Sequence, residues 1–200
     1  MARNFKRGAA KWARDLFEKH AAFRVLDLET TGMGREAEPV SIAVIDAAGE
    51  VLLDTLVCPT VPIEPGAARV HGIVAEMVHD APLFGEVYDQ LVLALGGLNE
   101  YGLPALAPVV IYNVDFDVPI LMRAAKQIDQ RLPAFNWQCA MRTYAPFYGE
   151  WSSYRGSYKW QSLENAMRQQ RIDVDAPAHS ALGDCQRVLA LLRKMAEWEG

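Results

Sequence analysis

The chain has 200 residues, 20 Lys and Arg against 25 Asp and Glu, a net charge of −5, and a composition that is 51% hydrophobic and 22% charged. These values fit one globular domain with a substantial core and exclude a disordered or low-complexity polypeptide. They also exclude a bilayer-spanning apolar run, and the basic N-terminal stretch lacks the continuous apolar segment of a secretory leader.

Three cysteines, Cys58, Cys139 and Cys185, are odd in number and have no CxxC spacing. A disulfide framework or zinc site is not expected, and a reducing, cytoplasmic setting is. The charge is unevenly spread. Residues 1–20 hold Arg3, Lys6, Arg7, Lys11, Arg14 and Lys19 against Asp15 and Glu18, a net +4 that leaves −9 for the rest. An acidic body argues against tight non-specific duplex binding, which relies on many phosphate contacts, but not against grip on a few terminal nucleotides.

In chain order, Phe5, Ala9, Trp12 and Leu16 predict a helix over 3–20. It reads either as packing on the domain or as a basic segment for nucleic acid or a partner protein, and residues 1–22 are separated on that ground from a main domain over 23–200. A strand follows at 23–28, then a Gly-containing loop at 32–38. Strands at 40–46 and 51–57 flank the turn Ala47-Ala48-Gly49-Glu50. Pro59 to Pro65 is a loop, His71-Gly72-Ile73 leads towards a short helix, and Phe84 to Leu95 has helical periodicity.

A buried strand is expected at 109–112. A helix then starts near Phe116, where Pro119 is tolerated as part of a first turn. A short apolar segment surrounds Cys139, with helices near 142–149 and 161–170 and a last helix over 180–197. Three antiparallel strands followed by alternating helices and strands predict an α/β sheet with helices on both faces.

Acidic residues gather where strands end and helices begin: Asp27 and Glu29 in Asp27-Leu28-Glu29-Thr30-Thr31-Gly32, Asp117 in Asn113-Val114-Asp115-Phe116-Asp117, and Asp184 in His179-Ser180-Ala181-Leu182-Gly183-Asp184. In a strand Asp27 and Glu29 point to one face, with Leu26 and Leu28 on the other. Each motif alone has a bland explanation. Asp115 is the better helix cap beside Asp117, Asn113 suits a turn, and His179 fits a surface loop. Together, four carboxylates converging on one point repel each other unless divalent cations lie between them. Oxygen donors and water select Mg²⁺ or Mn²⁺, and two such ions about 3.5–4 Å apart form the usual clamp for displacement at phosphorus. That pattern points to a metal-dependent nuclease.

With their spacing, Asp27-x-Glu29, Asn113-x-x-Phe116-Asp117 and His179-x-Ala181-x-x-Asp184 resemble the three motifs of the DEDDh exonucleases. This group of the RNase H-like superfamily, DnaQ-like in type, includes polymerase proofreading subunits and RNase T. The resemblance covers about residues 23–192 and extends to Thr30-Thr31-Gly32 and Val70-His71-Gly72-Ile73. Tyr112 and Cys139 depart from it, standing where many relatives have histidine and aspartate.

The resemblance implies a mixed five-stranded sheet, three antiparallel strands followed by parallel ones, flanked by helices. It implies 3′–5′ removal of nucleoside 5′-monophosphates with two ions: one on Asp27, Glu29 and Asp184, the other on Asp27 with Asp117 acting through waters. His179 would take the proton from the attacking water, imidazole being suited to proton transfer near neutral pH. Thr30, Met33, His71 and Asn113 are candidates to contact substrate, Met33 as a wedge against the terminal base.

Expected partners are 3′ ends of single-stranded DNA, with RNA as the alternative, and a polymerase or other protein through the N-terminal helix. No membrane is expected. Tyr144, Phe147, Tyr148, Trp151, Tyr154, Tyr158 and Trp160, with Arg155 and Lys159 interleaved, add a stretch suited to stacking on single strands, about half of which helical packing would absorb. Rival readings are a non-catalytic subunit of the same fold and a glycosidase using Asp27 and Glu29, which would need neither Asp117 nor Asp184. Gly32-Met33-Gly34 lacks the third glycine of a phosphate-binding loop.

Overall fold

A computed structural model describes residues 2–20 and 22–200; the Arg3 side chain, counted above in the basic segment, lies outside what is described. The order is α1 (Ala2–Lys19), β1 (Arg24–Thr30), β2 (Pro39–Asp46), β3 (Val51–Leu56), α2 (Pro65–His71), α3 (Ala75–Val78), α4 (Phe84–Ala94), β4 (Pro108–Ile111), α5 (Val114–Gln127), β5 (Asn136–Cys139), α6 (Ala140–Tyr148), β6 (Trp151–Ser152), β7 (Ser157–Tyr158), α7 (Leu163–Gln170) and α8 (Ala181–Ala196). Strands β3-β2-β1-β4-β5 form one sheet. β1–β2 and β2–β3 are antiparallel, while β1–β4 and β4–β5 are parallel. This is the mixed five-stranded sheet, antiparallel on one side and parallel on the other, that the resemblance implies.

Strand alternation sorts the core into two layers. Val25, Ala43, Ile45, Val110 and Tyr112 join buried residues of α1, α6, α7 and α8 on one face. Leu26, Leu28, Ile42, Val44, Val109 and Ile111 join α4 and α5 on the other. The N-terminal helix shares the first layer: Ala9, Ala10, Ala13 and Leu16 are buried in the same cluster as Val188, Leu191, Leu192 and Met195 of α8. Phe5, expected on the apolar face, is half exposed and meets Tyr158 edge-on at 5.7 Å instead. No described helix is long and apolar enough to cross a membrane.

Several elements differ from the sequence expectation. α2 begins at Pro65, in what reads as a Pro-rich loop. A proline at the first helical position loses no hydrogen bond there, so it opens the helix. α5 starts at Val114, two residues early, which moves Pro119 from the first turn into the helix. Asp115 is not the cap. Asn113 occupies that position without a side-chain bond, and Asp115 is ion-paired with Arg142 of α6. The aromatic stretch is split by the β6–β7 hairpin: Tyr144 and Phe147 are core residues, whereas Trp151, Tyr154 and Trp160 are exposed.

Candidate active site

Asp27 and Glu29 continue the row begun by Val25, so both project from β1 onto the face covered by α8. Asp184 lies in the first turn of α8, which is capped by Ser180, whose Oγ accepts from the Gly183 amide at 3.2 Å. Asp27, Glu29 and Asp184 each offer a carboxylate oxygen, and these oxygens lie within 4.8 Å of one another. Asp117, at the fourth residue of α5, is buried beside this trio rather than within it.

Burial and like charge act together here. Burial first, then the Asp117, Asp184 and Glu29 carboxylates, push Asp27 well above the usual carboxyl range. Burial, with Asp184 second, pushes Glu29 up to about 7. Asp117 moves upward for the same first reason, with Glu29 adding repulsion. Asp184 is raised by burial but held back by the Arg187 guanidinium, by His179 and by the His179 backbone amide. Arg187 Nη1 stands 3.8 Å from Asp184 Oδ1, and no other ion pair reaches these four carboxylates among the described residues. The donor set therefore fits hard divalent cations: all oxygen, clustered, and short of positive charge.

His179 is exposed at the end of the segment leading into α8 and takes a left-handed φ of 58°. It is close enough to both Asp184 and His71 to perturb their titration. Two features hold this segment. A Cβ at Gly183 would stand 2.1 Å from the Pro177 carbonyl oxygen, so glycine is what lets the segment lie against α8. Arg187 Nη2 donates to the Ala176 carbonyl at 3.2 Å. Arg187 was missed in the sequence, where its i, i+3 spacing from Asp184 is the available signal.

The other candidates surround a cleft of about 400 Å³ lined by Glu29, Thr30, Met33, Glu64, Val70 and His71. Met33 is 86% exposed at its edge. Thr30 is buried, and its hydroxyl donates to the Gly32 carbonyl at 2.9 Å. His71 Nδ1 accepts from the Ile73 amide at 3.0 Å, so Nε2 carries the proton and donates to the Thr30 carbonyl at 3.1 Å. Both ring nitrogens are thus spent on backbone, and the histidine offers the cleft only its ring face. Glu64, also missed in the sequence, lies over Gly32, where a Cβ would come within 2.3 Å of its carboxyl carbon. Asn113 holds the N-cap position of α5 without a side-chain bond and does not line this cleft.

Residues 25–192 match the RNase T family model, described as an exonuclease. The uncharacterized exonuclease CP81 of Escherichia phage 186 is 36% identical over 178 residues, covering 86% of this chain and 87% of that protein. Among solved structures, exonuclease X in complex with 5′ overhanging duplex DNA has a similar fold, with a TM-score of 0.62 and 24% identity over 86% of this chain and 90% of the other. The nuclease domain of 3′hExo, a DEDDh family member bound to rAMP, superposes with a TM-score of 0.66 and 15% identity, over 88% and 92% of the two chains.

Proposed function

The chain belongs to the RNase T family of exonucleases, in the DEDDh group of 3′–5′ enzymes, and from that premise we propose that it shortens single-stranded nucleic acid from the 3′ end, DNA in preference to RNA. The observation that carries the reading is the trio of Asp27, Glu29 and Asp184 at the end of β1, with oxygens within 4.8 Å of one another. Asp27, Glu29 and Asp184 would hold one divalent cation, Mg²⁺ or Mn²⁺, and Asp27 with Asp117 a second. Cations bound there supply a polarised water and neutralise charge on the leaving oxygen.

The protein's own groups do the rest. His179, on its exposed segment beside Asp184, takes a proton from the water whose oxygen attacks phosphorus. The bond from phosphorus to the 3′ oxygen breaks, and a nucleoside 5′-monophosphate leaves. The cleft beside Glu29 receives the terminal nucleoside, with Met33 against its base and the His71 face and Thr30 forming its walls. Arg187 orients both participants, through Asp184 on one side and the Ala176 carbonyl on the other.

DNA is favoured because exonuclease X, similar in fold over nearly its whole length, carries DNA in its complex. The rAMP held by 3′hExo keeps RNA as the second reading. Three free thiols suit a reducing, cytoplasmic setting. The test is digestion of 5′-labelled DNA and RNA oligomers of one sequence with Mg²⁺ or Mn²⁺. A ladder of shortened products, abolished by EDTA and faster on DNA, is expected. Cutting of a circular single strand, or undiminished cleavage in EDTA, would overturn the reading.

A further inference from the structure

We propose that a second cleft, on the far side of Met33 from the nucleoside cleft, is a phosphodiester-backbone site in which Arg35 and Arg123 grip the strand behind the scissile bond. The inference rests on the exonuclease reading and extends its substrate site by a named pair of residues. The cleft has a volume of about 210 Å³ and lies between the loop after β1, which supplies Met33 and Arg35, and α5, which supplies Asp115, Phe116 and Arg123. Met33 is the shared wall of the two clefts. Glu29 lines the first cleft, so the second cleft is one side chain, Met33, away from the carboxylate cluster. A strand with its terminal nucleoside in the first cleft has to pass Met33, and the second cleft opens there.

The chemistry of the lining selects an anion. Arg123 is half-buried, and its Nε is buried with no hydrogen-bond partner. A buried guanidinium N–H without an acceptor is costly, and it leaves the Arg123 charge uncompensated by the described residues, so an anion that meets the terminal nitrogens of its side chain in the cleft would offset it. Neither Arg35 nor Arg123 has an ion-pair partner among the described residues. The acidic group in the cleft, Asp115, is already paired with Arg142. Two guanidinium groups without ion-pair partners among the described residues therefore line this cleft in a molecule whose net charge is −5. Guanidinium matches phosphate geometry through paired N–H donors, and a contact made to phosphate carries no base identity. The site should therefore add grip along the strand without adding sequence preference.

The test uses Arg35→Gln, Arg123→Gln and the double variant on two substrates: a single-stranded hexanucleotide and the nitrophenyl ester of a nucleoside 5′-monophosphate, which has nothing to place behind the scissile bond. The double variant's KM for the hexanucleotide should rise about tenfold or more, with a much smaller change on the ester. The dependence of hexanucleotide binding on salt should flatten by roughly 0.7 log units per lost contact. Binding of a fluorescent hexanucleotide, measured by anisotropy with calcium replacing magnesium, separates the two levels of the argument. If wild-type protein hydrolyses neither substrate but the double variant still binds more weakly and with a flatter salt slope, the cleft stands and the exonuclease reading falls. Equal affinity and equal salt slope in variant and wild type, or an equal loss on both substrates, overturns the cleft.

Discussion

The two ends of α8 obey opposite rules. Beyond its first turns, Val188, Leu191, Leu192 and Met195 share an apolar cluster with Ala9, Ala10, Ala13 and Leu16 of α1, and Arg14 of α1 donates to the Ala196 and Trp198 carbonyls at the far end. At its start, Asp184 meets Asp27 and Glu29 in partial burial, with Arg187 as the nearby cation. One seam stores stability, and the other gives some of it up by crowding like charges. The difference shows that this helix holds a strained charge cluster in place because its remaining turns are anchored elsewhere.

If that division is right, damage to the acidic end should appear in rate and damage to the apolar seam in stability. The largest effect is expected for Asp27→Asn, at the residue proposed to touch both cations. Several kcal/mol of transition-state stabilisation would be forfeited, on the order of 10⁴-fold or more in rate. Its melting temperature without metal should equal or exceed that of wild type, because a repelled, desolvated carboxylate is removed. Wild-type turnover by this variant, measured on labelled oligomers, would end the two-cation proposal.

His179→Ala should slow cleavage by about 10²–10⁴-fold, as loss of a general base does. Metal binding should persist, since the carboxylates of Asp27, Glu29 and Asp184 are untouched. Calorimetric titration with Mn²⁺ is the check: a variant restored by excess metal would make His179 a metal-site residue instead of a base.

Leu16→Ala addresses the other seam. Leu16 is 2% exposed in the cluster shared with α8, so truncation should cost about 2–5 kcal/mol, or roughly 2–4 °C of melting temperature per kcal/mol in a chain of this size. Turnover by the folded fraction should change less than about twofold, well below the energetic cost in the seam. A matching loss of kcat at a temperature where the variant is fully folded would show that the seam and the site are coupled.

The smallest expected effect is on pH dependence. Burial lifts Glu29 from 4.5 to about 7 and raises Asp117 as well, so the folded protein retains protons that the unfolded chain releases. The stability these groups contribute is full below about pH 4 and is lost as pH rises through 7. Metal-free protein should therefore melt a few degrees lower at pH 8 than at pH 5.5. Mn²⁺ should restore more at pH 8, where the carboxylates are ionised for binding. A melting temperature that stays level across this range without metal would mean the carboxylates do not repel as described.

Much of this architecture was readable one residue at a time. Alternation in Val25-Leu26-Asp27-Leu28-Glu29 placed the two carboxylates on one face of a strand, and the Gly49 turn placed the hairpin that follows. Strand and helix periodicities are local rules, so they predicted an α/β sheet and grouped the acidic residues as candidates, while the mixed five-stranded arrangement came from the resemblance to the DEDDh exonucleases. Local rules also misled. Pro65 and Pro119 read as loop and first turn, yet one opens α2 and the other sits inside α5. A proline's neighbours, not the proline alone, decide whether its missing N–H matters.

By itself, then, the sequence determined which residues share a strand face, where the charge lies and which chemistry the carboxylates suit. Only the tertiary structure decided which of them meet. It separated Asp117 from the trio, spent both nitrogens of His71 on backbone, drew α1 into the core and left the Arg123 Nε without an acceptor. Those outcomes depend on contacts between residues as far apart as Asp27 and Asp184. The periodicity of one segment carries no information about the surface on which another segment lands, so burial, partnership and the resulting shifts in protonation emerge only once the layers pack.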